Sequence, residues 1–141
     1  MEYEYSDDYC RRFADVAESN FLVRMYPNDT IDGWHRLVES LNEGYDDVPP
    51  EFDSDIYIRE WIEIFIIEKS LIPFPEHIHF QECIKQIDFK FLEVTQVHPQ
   101  HNTKKSKLWE FRLPLIATKT YIEFLGQDYL KKYGITIILK E

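Results

Sequence analysis

The sequence predicts an α+β domain in which N-terminal helices pack with a small C-terminal sheet, in the order ααα-ββαβ. In the first half of the chain, apolar side chains recur every three or four residues between capping residues, as in amphipathic helices. In the second half, two runs alternate apolar and polar residues, which is typical of strands. A chain of 141 residues can bury one core, so we expect residues 1–141 to form a single domain.

The first predicted helix covers about residues 7–22. Ser6 offers a capping hydroxyl, and Asp7 and Asp8 follow at the positive end of the helix dipole. The face expected to be buried has the spacing i, i+4, i+7, i+8 and consists of Tyr9, Phe13, Val16 and Ala17.

A second helix is predicted after a break at Pro27-Asn28-Asp29. Thr30 is its expected cap, and Gly44 is placed to end it in a left-handed turn. Its apolar stripe consists of Trp34, Leu37, Val38 and Leu41.

The third predicted helix begins at Asp53 or Ser54 and runs through "DIYIREWIEIFIIEKS". Its many β-branched residues leave a strand as the alternative. Pro73 and Pro75 then require a loop, because neither residue continues a helix.

Two alternating runs predict a long-looped hairpin. Ile87, Phe89 and Phe91 alternate with polar residues from Gln86 onward, and this pattern continues to Val97. The second run places Trp109, Phe111, Leu113 and Leu115 on one face, with Pro114 marking an edge or a bulge.

The predicted fold ends with a helix and a strand. The helix starts at Thr118 or Thr120 and stops at Gly134, with Lys131 and Lys132 in its last turn. The closing run "ITIILK" is expected to form a buried strand.

The negative charge is concentrated in the first part of the chain. Residues 1–60 contain 16 Asp and Glu against 5 Lys and Arg, whereas residues 61–141 contain 10 against 11. Such a half repels nucleic acid and anionic membranes and attracts cationic partners, so neither nucleic acid nor membrane is an expected partner. The N-terminal residues lack the basic and apolar regions of a signal peptide, which predicts a cytoplasmic protein.

The sequence contains no recognisable catalytic or metal-binding motif. A serine nucleophile elbow, a phosphate-binding glycine loop and the H-E-x-x-H pattern are all missing. The pairs His77/His79 and His98/His101 lack the further ligands of a zinc site, and Cys10 and Cys83 are expected to be free thiols. We therefore expect a protein that is not an enzyme and has no cofactor and no metal site.

One stretch, "NEGYDDVPPEFDSD" at residues 42–55, contains six acids and no base. We call it the acidic segment. It is expected to be a connector stiffened by Pro49-Pro50, and the alternative to a binding role is a plain solvated linker. In the binding hypothesis the carboxylates meet Lys or Arg, and the two aromatic residues act as anchors buried in the partner. The candidate partner-binding residues are Glu43, Tyr45, Asp46, Asp47, Glu51, Phe52, Asp53 and Asp55.

With its small size, its acid-rich "YDDVPPEFDSD" and its lack of catalytic motifs, the chain resembles the small acidic immunity proteins that neutralise bacterial toxins, including those of contact-dependent growth inhibition systems. The closing "GITIILKE" also looks like the last strand of the barstar-type nuclease inhibitors. The resemblance implies a cytoplasmic inhibitor that binds a cognate basic toxin, expected to be a nuclease, as a monomer or in a 1:1 complex. It transfers no residue roles.

Two other classes of protein are also compatible with the sequence. Paired carboxylates such as Asp46/Asp47 or Asp53/Asp55 are compatible with a metal-dependent hydrolase. An acidic surface is also a feature of DNA mimics and adaptor proteins.

Overall fold

The computed structural model describes residues 3–101 and 106–141. It confirms the α+β class, with the helices first and short strands after them. The helices are α1 (Asp7–Phe21), α2 (Pro27–Glu43), α3 (Pro49–Asp55), α4 (Tyr57–Ile67), α5 (Glu76–Glu93), α6 (Lys119–Leu125) and α7 (Gln127–Tyr133). The strands are β1 (Thr95–Val97), β2 (Arg112–Pro114), β3 (Ile116–Ala117) and β4 (Ile138–Leu139).

The chain divides into two compact units that alternate along the sequence. The first unit consists of Met1–His35 and Tyr57–Gln86, and the second consists of Arg36–Ile56 and Ile87–Glu141. The expectation of one domain stays a prediction. Within the described residues, each helix is either too short or too polar to cross a bilayer.

In the first unit, α1 begins where the sequence predicts. Ser6 caps it by accepting a hydrogen bond from the Tyr9 N–H at 3.2 Å, and its hydroxyl also donates to the Glu76 carboxylate. The buried face of α1 packs against α4, where Phe13 stacks on Phe65 with the ring centroids 3.9 Å apart. This unit therefore has an aromatic core.

The two histidines of "EHIH", His77 and His79, lie in the first turn of α5. His77 is buried: its Nδ1 accepts a hydrogen bond from the Tyr9 hydroxyl at 2.7 Å, and its Nε2–H donates to the Ile66 carbonyl at 3.2 Å. His79 pairs with the Tyr5 hydroxyl at 2.8 Å. Both histidines are thus hydrogen-bonded structural residues, and burial lowers the pKa of His77.

The second helix begins earlier than predicted. α2 starts at Pro27, because a proline at the first helical position loses no hydrogen bond there. Thr30 is not the cap but lies one turn inside, where its hydroxyl donates to the Tyr26 carbonyl at 2.8 Å. The predicted end is correct: α2 stops at Glu43, and Gly44 follows with a φ of +116°.

The strand predicted from Gln86 is wrong, since α5 continues to Glu93. Ile87 and Phe91 fit both a two-residue and a helical period, but Phe89 is 59% exposed and does not share their face. The helical period becomes visible when residues before Gln86 are included. The buried residues then follow each other at intervals of three or four, and they are Phe80, Ile84, Ile87, Phe91 and Val94. Of the predicted strand, only β1 remains.

The predicted hairpin exists in shortened form in the second unit. β1 pairs antiparallel with β2, with Gln96 opposite Leu113, and Pro114 lies in this two-stranded sheet. Trp109 and Phe111, which were expected to belong to the strand, lie in the turn before it. The side chain of Arg112 on β2 also bonds to β1, because its Nε–H donates to the Thr95 hydroxyl at 2.7 Å.

The C-terminal strand is not buried as expected. β4 pairs in parallel with β3, but Ile138 is 60% and Leu139 49% exposed. The apolar residue of this run that enters the core is Ile135, which packs with Leu113 and Leu130.

Two helix boundaries also differ from the predictions. The helix expected from Thr118 to Gly134 is divided into α6 and α7 by Gly126, which has a φ of +86°. The third predicted helix is helical rather than a strand, but α4 begins at Tyr57 and α3 precedes it.

Replacement of Gly44 by Ala should destabilise the protein more than the same change at Gly134. Gly134 has a φ of +65°, within the left-handed region that Ala tolerates at a cost of about 1 kcal/mol. At Gly44 the φ of +116° is less favourable for Ala, and a Cβ would lie 2.6 Å from Lys140 Cδ. We therefore expect the free energy of unfolding to decrease by about 2 kcal/mol or more. Urea unfolding measures both variants, and equal losses would contradict the close contact at Gly44.

The buried His77 should make stability decrease as the pH falls. Its folded-state pKa is lower than its unfolded value of about 6.5, so below that pH the unfolded chain binds more protons. The free energy of unfolding should decrease from about pH 6.5 downward, through the lowered folded-state pKa. Urea titrations of the wild type and of His77→Gln should show a smaller pH dependence in the variant; equal pH dependences would exclude His77 as the titrating group.

Candidate functional site

The acidic segment is mostly structured and is not the stiff loop that the sequence suggested. Its first two residues complete α2, and its last seven form α3. Pro49 and Pro50 occupy the first turn of α3, where a missing N–H has no cost. Val48 before them is extended, with φ −87° and ψ 158°, as the residue before a proline prefers. The two prolines therefore start a helix.

Tyr45 fixes this segment to the second unit. Its ring is only 3% exposed and packs edge-on against Phe52 at 5.2 Å and Tyr121 at 5.9 Å between centroids. Its N–H donates to the Ile116 carbonyl, and its carbonyl accepts from the Thr118 N–H, each at 2.9 Å. The backbone of Tyr45 thus extends the small parallel sheet on the β3 side.

The hydroxyl of Tyr45 adds a third attachment by donating to Asp55 Oδ2 at 2.7 Å. Burial and the hydrogen bond to Asp55 raise the pKa of Tyr45, so the phenol remains a donor at neutral pH. The bond joins Asp55, the last residue of α3, to Tyr45, which lies before α3 and is separated from it by a short loop.

The expected role of the two aromatic residues needs correction. Tyr45 and Phe52 are 3% and 2% exposed, so both belong to the core of the chain itself and are not anchors for a partner. Because Phe52 points inward from α3, its neighbours Glu51 and Asp53 are turned toward solvent. The two aromatic residues therefore contribute to a binding surface only by holding the exposed carboxylates of the segment in position.

The carboxylates of the acidic segment are all exposed: Glu43, Asp46, Asp47, Glu51, Asp53 and Asp55. Within residues 3–101 and 106–141, the salt bridges found join other residues, and no Lys or Arg pairs with these six. Asp47 accepts a hydrogen bond from the N–H of Val48, at 2.8 Å. The segment therefore presents an uncompensated negative surface on a fixed backbone.

Asp53 occupies an unfavourable position for a carboxylate. The residue is exposed by area, but partial desolvation of its carboxyl raises the pKa above the usual value for Asp. The pKa of Tyr121 is raised mainly by burial and further by the charge of Asp53, which places that charge close to the buried ring.

The other histidines and the two cysteines lie outside the acidic segment. His98 pairs with the Tyr129 hydroxyl at 2.7 Å, and His101 stacks on Phe111 with the centroids 3.9 Å apart. Cys10 and Cys83 are free, and burial raises the pKa of both thiols, which disfavours the reactive thiolate. In the part of the chain that the structure describes, no group of three or more His, Cys, Asp and Glu is placed to hold a metal ion.

The sequence analysis did not identify the residues that contact the acidic segment from a remote part of the sequence. Tyr121 closes the ring cluster, and Ile116 and Thr118 hold the Tyr45 backbone. No local pattern signals these contacts, because the partners lie far apart in the sequence.

Comparison of the chain with protein-family models, with curated proteins and with solved structures finds no match. Function is therefore inferred from the geometry and charge of this chain alone.

The bond between Tyr45 and Asp55 should stabilise the fold measurably. Tyr45→Phe and Asp55→Asn should each lower the free energy of unfolding by about 1 kcal/mol, because each change removes or weakens a charge-assisted hydrogen bond. In a double-mutant cycle monitored by urea unfolding, the two losses should not add. Fully additive losses would show that the hydroxyl and the carboxylate do not interact.

Proposed function

We propose that the chain is an immunity protein, which binds and neutralises a cognate cationic toxin, expected to be a ribonuclease, through the acidic segment. The observation that carries the proposal is the set of six exposed carboxylates, fixed on a structured backbone, with no Lys or Arg pairing with them within the described residues. In this role the chain is a cytoplasmic, non-enzymatic inhibitor that needs no cofactor.

The chemistry of the partner follows from the charge. A nuclease binds phosphates with Lys and Arg, and carboxylates offer these groups the same kind of charge-assisted hydrogen bonds. The acidic segment would thus occupy a phosphate-binding groove and exclude its nucleic acid substrate. Acidic proteins and nucleic acids are rejected by like-charge repulsion.

The attachment of the segment supports binding at low entropic cost. Tyr45 and Phe52 are already buried, and the backbone of Tyr45 is already hydrogen-bonded, so few residues have to be ordered when a partner arrives. The uncompensated charge should also attract a basic partner from outside contact distance, over about 8 Å at physiological salt. Association should accordingly be fast and should slow as salt is added.

The test uses a toxin domain encoded next to the gene of this chain, made as a catalytically inactive protein for binding and as an active one for growth protection. The test variant carries Asp46→Asn, Asp47→Asn, Glu51→Gln and Asp53→Asn, and leaves Asp55 to hold Tyr45. The control variant removes the same charge from exposed acids outside the segment, by Glu4→Gln, Asp29→Asn, Glu82→Gln and Asp128→Asn.

We expect the test variant to bind on the order of 100-fold or more weakly, to lose most of the salt dependence of association and to fail to protect growth. The control variant should keep most of the affinity, because its charges are not at the contact. Equal affinities of the test variant and the wild type would refute the proposed site. Absence of binding by the wild type to any neighbouring toxin would refute the function.

A further inference from the structure

The outer edge of β4 is open. Ile138 N–H donates to the Leu115 carbonyl at 2.8 Å, and Lys140 N–H donates to the Ala117 carbonyl at 2.9 Å. Since the N–H groups of a strand alternate in direction, the N–H of Leu139 between them points away from β3. Among the described residues, no other strand pairs with β4 on that side.

The open edge borders an apolar groove in the same unit. The groove has a volume of about 630 Å³ and lies between β4 and the helices α6 and α7. Its aliphatic lining consists of Ile122, Leu130, Ile135, Ile137 and Leu139. Lys119, Glu123 and Lys131 contribute the charged part. An exposed apolar strand with free backbone groups is a template for pairing with another strand.

The strand is compatible with a second copy of itself. The chain contains 30% charged residues, but residues 133–139 contain none, so two copies can approach here despite a net charge of −10 each. An antiparallel two-fold pairing centred on Ile138 places Leu139 opposite Ile137 and Lys140 opposite Thr136. No like charges face each other in this register.

The charges at the ends of the strand also match. In the same register Glu141 lies opposite Ile135, which follows the basic last turn of α7. The carboxylate of one copy then approaches Lys131 of the other copy, which lines the groove. Two-fold symmetry makes this contact twice, and the aliphatic side chains of each strand cover part of the facing groove.

We propose that β4 pairs antiparallel with β4 of a second copy and that this contact forms a two-fold dimer. The contact is small, so the dimer is weak and depends on concentration. At high concentration we therefore expect this dimer and not the monomer that the sequence analysis expected. Each copy keeps its acidic segment accessible, because Tyr45 occupies the opposite edge of β3. The proposal does not depend on the proposed function.

Sedimentation equilibrium of the full chain over a range of concentrations tests the dimer, since the mass should rise from 17.1 kDa toward twice that value. Leu139→Lys adds charge to the edge, and Leu139→Pro removes the outward N–H and fixes the backbone φ of that residue. Leu139 is half exposed, so both variants should fold, which far-UV circular dichroism checks. Ile78→Lys is the matched control, since Ile78 is 66% exposed on α5 and lies outside the groove.

We expect each Leu139 variant to weaken the dimer at least about 10-fold, whereas Ile78→Lys leaves it unchanged. A mass of 17.1 kDa at every concentration would overturn the proposal, as would a dimer that both Leu139 variants leave intact. An equal effect of Ile78→Lys would indicate nonspecific apolar association instead. Growth of the mass beyond a dimer would exclude two-fold pairing.

Discussion

The burial of Tyr45 is the constraint on which the acidic segment depends. The ring contacts Phe52 and Tyr121, the backbone joins β3, and the hydroxyl reaches Asp55. Gly44 makes this possible, because its positive φ ends α2 and turns the chain toward the sheet. Without these attachments, six carboxylates in a short stretch would repel one another and favour an extended, solvated chain. With them, the charges are held in fixed positions.

Local signals predicted some of the helix ends correctly. Ser6, Gly44 and Gly134 each mark a boundary that the structure has, because capping and positive φ depend on a few neighbouring atoms. The spacing of Ile87 and Phe91 led to the wrong prediction of a strand. Residues four apart fit both the two-residue period of a strand and the period of a helix. Pro27 was interpreted as a break and Pro49-Pro50 as the stiff part of a connector, although Pro27 and Pro49 each begin a helix.

The candidate site was predictable in its charge but not in its support. The composition of the acidic segment locates the carboxylates, and the structure finds all six exposed. The same composition does not reveal whether Tyr45 and Phe52 face a partner or the core, because the answer depends on Tyr121, which is remote in sequence. A tertiary contact of this kind is determined by packing and has no local pattern. The exposed β4 was missed for the same reason, since an apolar run fits both a core strand and an open edge.

The second unit places different chemistry on the two sides of β3. Tyr45 and the acidic segment adjoin one edge, while β4 and an apolar groove with two lysines adjoin the other. Partial desolvation raises the pKa of Asp53, on the Tyr45 side, above the usual value for Asp.

The central claim is that the acidic segment is a fixed scaffold, and amide hydrogen exchange measured by NMR tests it most directly. The N–H groups of Tyr45, Phe52 and Thr118 all donate to backbone carbonyls, so their exchange should be strongly slowed. Protection of Tyr45 and Thr118 close to that of the core amides of the second unit would support the account. Exchange of these amides at the rate of an unstructured loop would contradict it.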